Sequence, residues 1–117
     1  MSAPLNPVEI EQSIQAVAKR IHHGVTVVTN AEAEFRQADR EYDAAFARAY
    51  LRHEGPQTEK KYAAELATQT EREVRDVAEL AYKHAERTAR ALEAELRAWQ
   101  SVGASIRAMY QGERGVG

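Results

Sequence analysis

Two arginines, a tyrosine and two lysines fall within fourteen consecutive positions, as Arg48, Tyr50, Arg52, Lys60 and Lys61. Guanidinium and ammonium groups neutralise phosphates, and an aromatic ring stacks on a base, a contact worth ~1–3 kcal/mol in single-strand binders. The combination therefore suits a single-stranded nucleic acid. Arg48 and Arg52 are four residues apart with no acid three or four positions away, and Lys60 lacks one too. Like charges so placed on a helix cost a few tenths of a kcal/mol, which a docked anion easily offsets. A solvated turn would carry the same residues, so the sequence fits both readings equally.

The remaining chemically capable residues point away from catalysis. His22 and His23 are adjacent, hence about 100° apart on a helix, whereas paired metal ligands share a face at i and i+4. With Lys19 and Arg20 they form at most a second basic patch. There is no cysteine, so no disulfide, thiolate zinc site or thiol nucleophile is expected. Neither a glycine-rich phosphate loop nor a Ser/His/Asp set is present. His84 reads as a packed or partner-bonded histidine and Trp99 as a core or oligomer anchor. No enzyme activity, metal or cofactor is expected.

The elements that must carry the basic cluster are helices. Asn6-Pro7 is a start signal, because Asn accepts from an orphan N–H and Pro at the first helical position lacks a donor that would be unpaired anyway. From there one row runs Ile14, Ile21, Val28, Phe35, Tyr42, Ala49, and a companion row runs Ile10, Val17, Gly24, Ala31, Ala38, Ala45. Alternating steps of three and four keep both on one seam, as in a coiled coil. Gly24-Val-Thr-Val-Val-Thr-Asn30 is β-branched and a poor helix former, so it is a weak point where the helix could break.

Gly55-Pro56 ends the first helix and allows another to begin. The short connection predicts antiparallel neighbours. In the second helix Leu66, Val74, Val77, Ala81, His84 and Thr88 mark a polar, small seam, followed by a greasier stripe of Leu92, Leu96, Trp99, Val102, Ile106, Met109 and Tyr110. Lys83, Arg87, Arg90 and Arg97 share a face. The acid-first pairs Glu71–Arg75, Glu79–Lys83, Glu86–Arg90 and Glu93–Arg97 are expected to neutralise most of it. The expected layout is an N-terminal tail at 1–6, a helical-hairpin domain at 7–110 and a disordered tail at 111–117. Within the domain the helices cover 7–53 and 58–110, with a turn at 54–57.

The fold class is therefore all-α, two long antiparallel helices forming a coiled-coil-like hairpin. The chain of 117 residues is 44% hydrophobic but only 7% aromatic, and alanine supplies much of the apolar count. An Ala methyl contributes far less than a buried Leu or Ile, at roughly 1.5–3 kcal/mol each. Further burial between protomers is expected, with Ile14, Ile21, Val28, Phe35, Tyr42, Leu92, Leu96, Trp99 and Ile106 as core or oligomer contacts. A net charge of −2 excludes a uniformly basic nucleic-acid binder and leaves only a local patch. No signal-peptide pattern or membrane-length apolar run occurs, so a cytoplasmic protein without membrane contact is expected.

The basic–aromatic run Arg48-Ala-Tyr-Leu-Arg-His-Glu-Gly55 resembles the corresponding stretch of the UvsY-type recombination mediators of tailed phages. The closing Leu92-Glu-Ala-Glu-Leu-Arg-Ala-Trp-Gln-Ser-Val-Gly-Ala-Ser-Ile-Arg107 is similar to the end of small helical proteins of phage recombination and replication loci. That resemblance implies a ring-forming homo-oligomer that binds single-stranded DNA in a bacterial host cell. It also implies a partnership with a RecA-like recombinase or a single-strand-binding protein. Arg48, Tyr50 and Arg52 would contact DNA, with Lys60 and Lys61 beside them. Two other classes fit the pattern: a coiled-coil scaffold or adaptor that binds no DNA, and a secreted WXG-type hairpin. The latter places Trp-x-Gly in its turn, where this chain has His53-Glu54-Gly55-Pro56.

Overall fold

Asn6 and Glu9 close a reciprocal cap at the start of the first helix. The Glu9 N–H donates to Asn6 Oδ1 at 2.9 Å, and the Asn6 N–H donates to Glu9 Oε2 at 3.4 Å. Two orphan donors are satisfied at once, which starts the helix at Pro7. The computed structural model describes residues 6–116, with side chains over 6–112. Tail positions 1–5 and 117 lie outside the described residues. Among those described the fold is all-helical: α1 (Pro7–Arg52), α2 (Gln57–Ala67) and α3 (Gln69–Val116). Helix α1 passes through Gly24–Asn30 unbroken. The three-and-four rows on either side outweigh the poor local propensity there.

The second long helix departs from expectation at both ends. It is interrupted at Thr68, whose backbone sits at φ −116°, ψ 21°. The Thr68 hydroxyl donates to the Ala64 carbonyl at 2.6 Å, competing with the regular ladder. The Thr68 N–H still reaches Ala64 O and the Arg72 N–H still reaches Thr68 O, so the break is a kink and no loop follows. At the far end the backbone stays helical to Val116, past the Tyr110 boundary.

The chain packs as two compact units. The first joins the opening of α1, to Thr26, with α3 from Arg87 onward. Ile10, Val17 and Leu92 are its best-buried side chains. Ile10 Cγ2 stands 3.3 Å from where a Cβ on Gly103 would lie, and Ile14 Cδ1 stands 4.0 Å from it. Glycine there lets the helices approach closely, and Arg20 reaches Glu95 at 3.7 Å further along. Contacts that advance on α1 while receding on α3 make this pair antiparallel. Leu96, Trp99, Val102 and Ile106 are half-buried, while Met109 and Tyr110 are exposed, so the greasy stripe ends a turn earlier than its spacing suggests.

The second unit, Val27–Glu86, is also antiparallel but has a different interior. Phe35 stacks on Tyr82 at 6.0 Å between centroids. The Arg75 guanidinium lies 5.2 Å from the Tyr42 ring centroid and 3.8 Å from Asp39. Ala38, Ala64, Ala85 and Thr68 are buried. Burial, the Glu32 and Glu86 carboxylates and a hydrogen bond to Glu86 push the Tyr82 phenol above its ordinary value.

The inward face of the second helix here is not the anticipated one. Leu66, Val74 and Val77 are 69%, 54% and 67% exposed, and Ala81, His84 and Thr88 are exposed as well. Stepping back from Leu92 by three and four gives Ala89, Ala85, Tyr82, Ala78, Arg75, Glu71, Thr68 and Ala64, all buried or half-buried. An Arg can occupy a seam position because its stem packs while its head reaches Asp39 and Glu79. Both rows of α1 do face inward, and every residue in them is buried or half-buried.

Candidate nucleic-acid interface

Gly55 makes the turn possible. Its φ is +153°, and a Cβ would lie 2.8 Å from the Glu59 carboxylate and 3.2 Å from His53 Nε2. Those two side chains approach each other to 3.5 Å across it. Pro56 then carries φ −59°, and its carbonyl accepts from the N–H groups of Glu59 and Lys60 to start α2.

Helical geometry divides the anticipated residues between two sides of this tip. Arg48 and Arg52, one turn apart, share a face, while Tyr50 lies two residues from each and so points away. Both arginines are exposed. With Ala45, Ala49, Ala67, Thr68 and Glu71 they line a shallow groove of about 190 Å³. One Glu71 oxygen is buried in the same region without a hydrogen-bond partner. It forms no ion pair with either arginine. Among the described residues no carboxylate comes within 4.0 Å of Arg48, Arg52, Lys60 or Lys61.

Tyr50 sits on the other side, beside a groove of about 500 Å³ lined by Phe46, Tyr50, Gln57, Thr58, Lys61 and Tyr62. It is half-buried, stacked on Phe46 at 6.4 Å, with the Lys60 ammonium 5.8 Å from its ring centroid. Its ring therefore already has partners. Tyr62 went unnoticed in the sequence, although it directly follows Lys60-Lys61, and that adjacency was the available signal. It is 64% exposed and beside Lys61. The accessible aromatic surface at the tip thus belongs to Tyr62 more than to Tyr50.

The basic stripe of α3 is less neutralised than its spacing suggests. Of the four anticipated pairs only Glu79–Lys83 forms, at 2.9 Å. The hydrogen bond and charge of Lys83 hold the Glu79 carboxyl below its ordinary value. Arg75 turns to Asp39, Asp76 and Glu79 instead of Glu71. Arg87, Arg90 and Arg97 are exposed, with no carboxylate within 4.0 Å among the described residues. His22, His23 and His84 are exposed too, so His84 is not the packed histidine anticipated. Among the described residues no cluster of three His, Asp or Glu side chains could hold a metal ion, and no helix is long and apolar enough to cross a membrane.

No protein-family model matches the chain, and no curated protein or solved structure matches it significantly.

Proposed function

We propose that this chain is a DNA-recombination or replication accessory protein that binds single-stranded DNA at its helix turn. In this proposal it acts as a homo-oligomer that also binds a RecA-like recombinase or a single-strand-binding protein. One observation carries the DNA contact: Arg48, Arg52 and Lys61 are exposed around one turn without a carboxylate within 4.0 Å. Phosphates would supply the missing counter-charge, and Tyr62 beside Lys61 offers a ring for a base. A single patch of this size binds weakly, and several tips gathered in one assembly bind far better through effective concentration. The phage setting and the recombinase partner rest on the resemblance of Arg48–Gly55 and Leu92–Arg107 to the mediator pattern.

A second proposal, a helical adaptor without DNA contact, is favoured by the exposed aliphatic face of Val74, Val77 and Leu80. Fluorescence anisotropy with labelled oligo-dT at low salt separates the two. Tight binding that Arg48→Glu with Arg52→Glu abolishes supports the mediator proposal. Absence of binding at low salt favours the adaptor.

A further inference from the structure

Thr68-Gln-Thr-Glu71 has the residues of a capping box, in which the glutamate would reach back to the threonine N–H. That box stays open. The Thr68 N–H donates to the Ala64 carbonyl at 3.1 Å and the Thr68 hydroxyl donates to the same oxygen at 2.6 Å, because α2 runs into α3 through a kink. The other natural partner of Glu71, Arg75 one turn on, is turned to Asp39, Asp76 and Glu79. Glu71 is left over, with Oε2 shut off from water and accepting no hydrogen bond among the described residues. A buried acceptor without a donor is destabilising, and more so when it is charged.

Glu71 borders the groove beneath the arginines. Ala45 and Ala49 of α1 and Ala67 of α2 leave space there, and Arg48, Arg52 and Thr68 complete the lining around about 190 Å³. All of these residues lie in the Val27–Glu86 unit. The groove thus sets two guanidiniums without a carboxylate within 4.0 Å beside one carboxylate without a donor. A turn about the terminal glutamate torsion, which is broad, presents that carboxylate to the groove. A plain anion suits the arginines and is repelled by Glu71. A nucleotide whose base carries an amino group suits all three, with its phosphate on the guanidiniums and its N–H on the carboxylate. Cytosine N4 is such a donor. Uracil and thymine carry a carbonyl oxygen at the same position, which a carboxylate repels.

We propose that Glu71 is a base-reading residue of the tip. It accepts a hydrogen bond from the exocyclic amino group of a nucleotide whose phosphate rests on Arg48 and Arg52, so cytosine is preferred to thymine or uracil. This rests on the single-strand contact proposed above and adds a base preference to it.

Fluorescence anisotropy with labelled oligo-dC and oligo-dU of equal length compares two bases that differ only on the edge in question. Mildly alkaline pH keeps oligo-dC single-stranded. The unmodified chain should bind oligo-dC about tenfold more tightly, the scale of one hydrogen bond to a charged group. Glu71→Gln keeps the shape but can donate as well as accept, so it should bring the two affinities within about twofold of each other. Glu71→Ala should also remove the preference, and it carries the test if the glutamine variant folds poorly. A glutamate that acts only through its charge would repel both strands alike. Glu71→Gln would then raise both affinities together and leave their ratio where it was. An unchanged ratio, or equal affinities in the unmodified chain, overturns the proposal. Equal affinities that still fall with Arg48→Gln plus Arg52→Gln would overturn base reading and leave the phosphate contact standing. Binding of neither oligonucleotide at low salt would remove both.

Discussion

Replacing Leu92 by Ala and, separately, Val77 by Ala tests which face of α3 is the inner one. Leu92 keeps only 6% of its surface in contact with water, whereas Val77 keeps 67%. Removing three nearly buried carbons at ~0.8 kcal/mol each, plus part of a cavity, costs Leu92→Ala about 3 kcal/mol. Removing two carbons that are one-third covered costs Val77→Ala about 0.5 kcal/mol. For a chain of this size ~1 kcal/mol moves Tm by about 4 °C, so the expected drops are about 12 °C and about 2 °C. Thermal melts followed by circular dichroism, at concentrations low enough to suppress self-association, read both. Similar drops for the two variants, or a larger one for Val77→Ala, would refute the assignment of the inner face.

Gly55→Ala should destabilise the turn by about 1–2 kcal/mol, because φ of +153° is disfavoured for a residue with a Cβ. The Glu59 carboxylate at 2.8 Å can swing aside, so Glu59→Ala should not rescue it; a melt of the double variant checks this. The Glu79 carboxyl, held below its ordinary 4.5 chiefly by the Lys83 hydrogen bond, stabilises the fold above pH 4.5. That contribution is lost as pH falls through the lower folded value. Glu79→Gln should therefore melt slightly below the unmodified chain at neutral pH, and the gap should close below pH 4.5. A gap that widens on acidification would reverse the sign.

Helix α1 was legible because its seam is aliphatic where a three-and-four pattern is easiest to see. Asn6-Pro7 marks its start, and the row Ile14, Ile21, Val28, Phe35, Tyr42 faces inward throughout. The early part of α3 was not, because its inner face is Glu71, Arg75, Ala78 and Tyr82. Counting hydrophobicity favours Val74 and Val77, while packing favours the face that brings Tyr82 onto Phe35 and Arg75 onto Tyr42 and Asp39. Greasier residues lost to better-partnered ones. At the tip, the absence of acids around Arg48 and Arg52 could be read from spacing. The capture of Tyr50 by Phe46 and Lys60 could not, because Lys60 belongs to the next helix.

The proposed DNA contact is tested most directly by the salt dependence of oligo-dT affinity. Each phosphate neutralised on a single strand contributes about 0.7 to the slope of log K against log salt. Arg48, Arg52 and Lys61 together predict a slope of about −2 per protomer, and Arg48→Gln with Arg52→Gln should cut it by about 1.4. A slope that the double variant leaves unchanged, or oligo-dT binding indifferent to salt, would contradict a phosphate site at this turn.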